Sequence, residues 1–492
     1  VISCFCPVFL LFNKNTFGGT MQNFVELIQN INSKVNSVVW GPPMLILMLL
    51  TGLYLTCGTR FFQIRRFCYT IKNTVAAIFK DRKVTKTKDE KAISQFQALA
   101  TALAATVGTG NIVGVATAIS SGGAGAVFWM WISALLGMMT SFSENALGIY
   151  FRRKNEKGEW VGGPMYYIEK GLGQKWLAVI FSVFCLFASF GIGSVAQVNG
   201  ISTALKGSFN IPGVVTGIVV CALIAVIIYG GLKRIVTVTE KFVPFMAAFY
   251  IIGALIIIIV NFRHIGDAFG EIFSGAFSMR SVGGGVMGYG ISRAMRFGVA
   301  RGAFSNEAGL GSSVMVHSSS DAKEPVTQGM WGIFQVFFDT IVICTLTALV
   351  ILTTGANLQS GLEGVNITIY AFESVLGKWG SYIVSIGIVM FAFSTILGWS
   401  VYGSRAAEYI GGKKLTAVYK IIFLAMTFIG AVSSIQLVWD LSDTFNGLMA
   451  LPNLIGLLLL SGTVFKITKN YEQRVIGGKK IKPMLSFYDR EK

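Results

Sequence analysis

The sequence predicts an all-α, polytopic membrane protein: ten core helices forming two inverted five-helix repeats, with one extra transmembrane helix before them. Three observations predict it. Of the 492 residues, 53% are hydrophobic and only 13% charged, with a mean hydropathy of +0.65, whereas about a quarter of an ordinary soluble chain is charged. Eleven apolar segments, near 38–57, 94–119, 125–150, 175–205, 213–230, 241–262, 282–300, 329–354, 379–407, 416–434 and 438–465, can each cross a hydrocarbon core of roughly 30 Å. The basic residues alternate in step with those segments. The 57 glycines have no fixed period and prolines number nine, which excludes collagen-like and low-complexity chains.

Taken in order, residues 1–37 form an N-terminal extension with an amphipathic segment that opens at Met21 (MQNFVELIQNINSKV). Residues 1–20 lack the basic start and small-residue cleavage site of a signal peptide. They read equally as upstream translation or as a nonfunctional extension. Span 38–57 stands outside the repeats, and loop 58–93 carries ten basic residues, Arg60 to Lys91. The first repeat covers 94–262, an outer loop 263–281, the second repeat 282–465, and a basic tail 466–492. Loops on one side hold 35 of the 41 basic residues, including Arg293 to Lys323, and loops on the other hold six, among them Lys206 and Lys378. The positive-inside rule then puts the N-terminus outside and the C-terminus in the cytoplasm. The net charge of +18 is thus a topology signal rather than a nucleic-acid footprint. Seven scattered cysteines suggest neither a disulfide framework nor a zinc site. His264 and His317 fall in predicted loops without a catalytic role.

Two spans are interrupted. Ala104-Ala105-Thr106-Val107-Gly108-Thr109-Gly110-Asn111-Ile112-Val113-Gly114 opens the first repeat, and Gly283-Gly284-Gly285-Val286-Met287-Gly288-Tyr289-Gly290 opens the second. Glycine inside a helix costs about 1 kcal/mol relative to alanine, so such runs mark either close helix packing or unwound backbone lining a site. Their matched positions in two five-span blocks, which enter the membrane from opposite sides, favour the site. A broken helix offers free N–H groups after the break, suited to a carboxylate. Before the break it offers free carbonyls, suited to a hard cation or an ammonium group. Thr109 and Gly110 are placed to give N–H groups, with Gly284 in the second run; Ala104 and Val107 are placed to give carbonyls, and Asn111 a side-chain oxygen.

VGTGNIVGVATAI, GGPMYYIEKGLG (162–173), ARGAFSNEAGLGSS (300–313) and PVTQG (325–329) resemble the signatures of the alanine/glycine:cation symporter family, over a stretch from about Trp40 to Gly462. The resemblance implies the inverted-repeat fold of the bacterial leucine transporter in a prokaryotic cell membrane. It also implies uptake of a small neutral amino acid, alanine or glycine, coupled to Na⁺ or H⁺ and needing no cofactor. By that resemblance Ser394 and Thr395 supply hydroxyls to a Na⁺ site shared with the carbonyls of Ala104 and Val107; back-bonding to their own turn is the structural alternative. Gln197 faces the amino acid or else bonds a neighbouring helix. Met287 and Trp399 close a small cavity around a methyl side chain or simply pack.

Intramembrane charge is expensive and marks function by default. Glu144, Arg301, Glu307 and Asp339 form either a gating network or a static ion pair, with Arg301 and Glu307 at the cytoplasmic end of the seventh span and a proton-relay role for Glu144 or Asp339 the weaker option. Two other classes compete. Thr106 to Gly110 resembles a K⁺-channel filter, but it occurs once and without a pore helix. The chain carries no H-E-x-x-H, G-x-S-x-G or metal cluster, and its Gly108–Gly114 spacing is wrong for a dinucleotide fingerprint, so an enzyme is disfavoured.

Overall fold

Backbone polar groups in lipid have no water to bond, so apolar stretches must close their own hydrogen bonds as helices. The computed structural model describes residues 19–277, 287–433 and 436–490. Ahead of the repeats lie α1 (Gly19–Val39) and α2 (Pro42–Gly58). Proline starts α2, where its missing N–H has no intrahelical partner to lose. The first repeat runs through α3 (Gln95–Thr106), which breaks and resumes as α4 (Val115–Gly122), then α5 (Gly125–Phe151). A short hairpin (β1, Arg153–Lys154; β2, Trp160–Val161) and α6 (Pro164–Leu172) lead to α7 (Lys175–Phe190), α8 (Ala196–Phe209), α9 (Gly213–Tyr229) and α10 (Gly231–Val260). Beyond α11 (Ile265–Phe277), the second repeat comprises α12 (Met287–Asn306), α13 (Val314–His317), α14 (Pro325–Val336), α15 (Thr345–Thr353), α16 (Val365–Leu376), α17 (Lys378–Val432) and α18 (Gln436–Tyr471).

Seven of these stretches are long and apolar enough to cross a bilayer, and the bent pair around the α3–α4 break makes an eighth. The 55 residues of α17 are two helices joined at Gly411 and Gly412, the latter with φ 63°, a left-handed value open to glycine. Packing follows the inverted repeat. α5 lies on α14 and α8 on α17, pairs that a twofold maps onto themselves. α7 on α18 is mirrored by α10 on α17, and α10 on α15 by α5 on α18. Gly398 lets α17 close on the broken helix, since a Cβ there would sit 2.6 Å from Ala105 Cβ.

One face gathers the basic loops. Arg65 and Arg66 pair with Glu472 at 2.8 and 3.2 Å, and Arg474 with Glu324 at 2.6 Å. Just before α3, Ile93 forms an isolated bridge with Ser320: Ile93 N–H donates to the Ser319 carbonyl (3.1 Å) and Asp321 N–H to that of Ile93 (2.8 Å). Arg152, at the end of α5, donates to the carbonyls of Ser318, Ser320 and Ala322 and stacks 4.3 Å over Trp160. The start of the first broken helix is therefore stitched to the segment after α13.

Candidate functional site

The first break is built locally. A capping box at Ser94 and Gln97 starts α3, satisfying two orphan N–H groups. The helix stops at Val107, whose ψ of 89° leaves the helical region, and the chain resumes at 52° to its former course. Asn111 holds the break open: its Oδ1 accepts from Gly108 N–H at 2.8 Å, and its Nδ2 donates to Asp339 Oδ1 at 2.8 Å. Asn111 thus braces the backbone with the oxygen that sequence reasoning assigned to the ion. Gly108 faces α17 so closely that a Cβ would lie 2.5 Å from Thr395 Oγ1.

The second expected interruption, 283–290, lies outside the fully described residues. Gly284 and the Met287 side chain fall outside the described residues. What meets the first break is the end of α12 and the unwound segment 307–313. Asn306 Oδ1 accepts from Ala308 N–H, and Glu307, Gly309 and Gly311 take φ of 56°, 91° and 76°. The left-handed value at Glu307 is unfavourable for a side-chain residue and calls for support from its surroundings. Glu144 supplies it from α5. Its Oε1 accepts from Gly309 N–H (3.0 Å), Gly311 N–H (3.1 Å) and Asn453 Nδ2 (2.6 Å), and Asn453 also donates to the Gly309 carbonyl at 2.9 Å. Tyr167 in turn hydrogen-bonds Asn453.

Asp339 joins the two interruptions. While Oδ1 takes Asn111, Oδ2 accepts from Ser305 Oγ at 2.8 Å and Thr340 Oγ1 at 3.0 Å. The donors to its two oxygens come from the first break, from α12 and from the adjacent Thr340, so Asp339 fixes the spacing of α12 against the first break. The four predicted membrane charges therefore do not form one network. Among the described residues no ion pair joins any of them. Glu144 and Asp339 bond neutral donors, Glu307 takes Ser312 Oγ and Trp399, and Arg301 stacks over Phe304 (5.7 Å) near Asp443. Arg301 also shares a cavity with Lys378, the face opposite to the one its loop was sorted to. Arg293, Arg296 and Arg301 sit along α12 and not in a loop.

Two cavities meet at this centre. The inner one, about 20 Å³, is bordered by Gly108, Gln197, Glu307, Thr395, Trp399 and Asn446, room for about one water-sized species. The outer one, about 740 Å³, opens between α8, α12, α16 and the start of α17. Thr109, Gly110 and Phe304 border both, so they are the partition. Thr109 Oγ1 reaches Gln197 Oε1 at 3.2 Å, and Gln197 Nε2 donates to the Ile192 carbonyl at 3.1 Å. Gln197 therefore makes the interhelical bond and borders the inner cavity as well. Ala104 and Val107 are fully buried at the end of α3. Ser394 and Thr395 both back-bond to the Phe391 carbonyl, at 2.8 and 2.9 Å. Only Thr395 borders the inner cavity; the Ser394 hydroxyl reaches Met246 Sδ on α10.

Sequence reasoning missed Phe304, Ser305 and Asn446. Asn446, on α18, is 1% exposed and its Oδ1 has no partner, a buried acceptor aimed at the space where a donor would fit. Among the described residues no cluster of His, Cys, Asp or Glu could hold a metal; the polar side chains that border the inner cavity are those of Thr106, Thr109, Gln197, Ser305, Glu307, Thr395 and Asn446. His317, expected in a loop, is fully buried, with Gln328 Nε2 donating to its Nδ1 and Nε2 facing Gln335 Oε1. Burial pushes its imidazole down to about 4.

Residues 25–484 match the model of the sodium:alanine symporter family. The sodium/alanine symporter AgcS of Methanococcus maripaludis is 45% identical over 92% of this chain and 98% of its own. The probable sodium/glutamine symporter GlnT of Bacillus subtilis is 38% identical over 92% and 93%. Among solved structures, that of MhsT in complex with L-phenylalanine aligns with a TM-score of 0.49 at 13% identity, over 77% of this chain and 99% of that one.

Proposed function

The chain belongs to the sodium:alanine symporter family, a multi-pass membrane transporter and not an enzyme, and from that premise we propose that it carries alanine or glycine inward with Na⁺ by alternating access. The observation that supports this most is the meeting of two helix interruptions at one small cavity beside a large vestibule. In this reading the substrate carboxylate takes the N–H groups at Thr109 and Gly110, after the break. Its ammonium group takes Glu307 and the free Oδ1 of Asn446, while Gln197 and Trp399 limit the side chain to a methyl. Na⁺ takes the carbonyls of Ala104 and Val107 with the Thr395 hydroxyl; Ser394 turns in by rotating away from Met246. Gly284 and Met287 belong to the same proposal.

The inner cavity is too small for an amino acid until the partition of Thr109 and Phe304 yields, so entry from the vestibule and formation of the site are one step. By the positive-inside argument the vestibule is extracellular, the N-terminus outside and the Ile93–Ser320 face cytoplasmic. A single Na⁺ falling through 100 mV supplies about 2.3 kcal/mol, roughly fiftyfold accumulation before any ion gradient is added. H⁺ in place of Na⁺, and glutamine in place of alanine, are the alternatives that one experiment separates. Proteoliposomes are loaded with a Na⁺ or a pH gradient and offered labelled alanine, glycine or glutamine. Saturable alanine or glycine uptake driven by Na⁺ is expected; uptake driven by pH alone, or of glutamine alone, would overturn that part. Single-channel currents would instead revive a filter at Thr106 to Gly110.

A further inference from the structure

Beyond Trp399 along α17, on the face with the basic loops, a further cavity of about 310 Å³ lies between the α9–α10 turn, both limbs of α17 around its kink, and the β1–β2 hairpin. Four cations border it, Lys157, Arg405, Lys413 and Lys420, against two carboxylates, Glu159 and Glu408. Both carboxylates are used by Arg405, whose Nη1 pairs with Glu408 at 2.7 Å and Glu159 at 3.5 Å. Lys413 pairs with Glu156 at 2.9 Å. Among the described residues no ion pair compensates Lys157 or Lys420; Lys420 Nζ donates to the Ile228 carbonyl at 3.1 Å and lies within electrostatic reach of Lys157, Arg405 and Glu159. Arg405 is 6% exposed, and its Nη2 has no hydrogen-bond partner. A buried guanidinium with an unmet donor beside two ammonium groups that have no carboxylate partner is a site short of an anion.

The other wall decides which anion. Ile228, Tyr229 and Ala417 border the cavity, and the helix surfaces that continue from it carry exposed Val226, Tyr229, Val418 and Ile421. Tyrosine sits by preference where headgroups meet hydrocarbon, and Lys420 lies 5.9 Å over the Tyr229 ring. A soluble anion has no use for that apolar continuation; an acyl chain does.

We propose that this cavity binds the phosphate headgroup of an anionic phospholipid, with the acyl chains lying along the exposed apolar residues of α9 and the second limb of α17. The lipid would bridge the α9–α10 turn, α17 and the hairpin, the parts of both repeats that lie beside Arg405. Each basic side chain near an anionic surface contributes about a fivefold preference, so removing two gives roughly thirtyfold.

The test uses the full-length protein, delipidated in neutral detergent and offered phosphatidylglycerol, phosphatidylcholine or inorganic phosphate. Retained lipid is read by native mass spectrometry and protection by the thermal midpoint. Phosphatidylglycerol is expected to be retained and to raise the midpoint, and Lys157→Gln/Lys420→Gln to weaken retention roughly thirtyfold while Na⁺-driven uptake shows the variant folded. Equal retention of phosphatidylcholine, or undiminished retention by the variant, would overturn the site. Equal protection by inorganic phosphate would overturn the lipid assignment.

Discussion

Gly108 offers the sharpest test of where the ion sits. Alanine at this position places a Cβ 2.5 Å from Thr395 Oγ1, about 1 Å inside ordinary contact. Neither neighbour can retreat far: Thr395 is bonded back to Phe391, and Gly108 N–H is held by Asn111. Overpacking of this kind costs about 1–3 kcal/mol, which corresponds to roughly fivefold to 150-fold in an equilibrium constant. Gly108→Ala should therefore raise the Na⁺ concentration for half-maximal alanine uptake by about fivefold or more in proteoliposomes, with the protein still folded by size-exclusion profile. The control is Gly108→Ala/Thr395→Ala, which removes the obstructing oxygen together with the proposed ligand. Its thermal stability should recover while its Na⁺ dependence stays impaired. If the double variant regains wild-type Na⁺ dependence, Thr395 is only a packing residue and the ion lies elsewhere.

Three further outcomes follow from the bonding described above. Glu144→Gln keeps an acceptor for the 307–313 loop and should retain uptake within a few-fold, whereas Glu144→Ala strands Gly309 N–H, Gly311 N–H and Asn453 at about 1–3 kcal/mol per group; a thermal midpoint equal to wild type for the alanine variant would refute the bracing role. Asp339→Asn sets a donor against one of Asn111, Ser305 or Thr340 and should lower uptake at least about tenfold, as a lost buried charge-assisted bond of roughly 1.5–3 kcal/mol implies; unchanged maximal uptake would show that the two interruptions need no common tie. His317 has its folded value depressed to about 4 from 6.5, so its contribution to stability is complete above about pH 6.5 and is lost as pH falls toward 4. A His317→Gln variant should flatten that acid limb of the thermal midpoint, and an identical limb in both proteins would count against it.

The first interruption is legible because its signal is local: glycines, a hydroxyl and an amide inside an otherwise apolar run, with a capping box ahead of it. The repeat is legible from span parity. The second interruption is hidden by the same hydropathy that reveals the rest. Span 282–300 is read as apolar, but three arginines on α12 and the polar Ser305-Asn306-Glu307 make its last turn and the segment after it look like loop. The signature FSNEAGLGSS carries the information, yet the need for left-handed backbone at Glu307 can be seen only once Glu144 and Asn453 are in place around it. Asn446 carries no sequence signal, since a single amide on α18 is indistinguishable from an ordinary interhelical tie. Ser394 and Thr395 are adjacent in sequence, but a helix sends neighbours about 100° apart, so one faces the break and the other α10.

The bridge between Ile93 and Ser320 has a kinetic meaning. It consists of two backbone hydrogen bonds, backed by the Arg152 fork into the following carbonyls. Net contributions of about 0.5–1.5 kcal/mol per bond make the bridge itself a fastening of only a few kcal/mol. A fastening of that size lets these two bonds part spontaneously in a minor fraction of molecules. It needs no chemical energy to release it, only a bound pair of solutes that prefers the parted form. In the proposed alternating-access cycle, turnover is then timed at this short strip of main chain, remote from the residues proposed to touch the solutes.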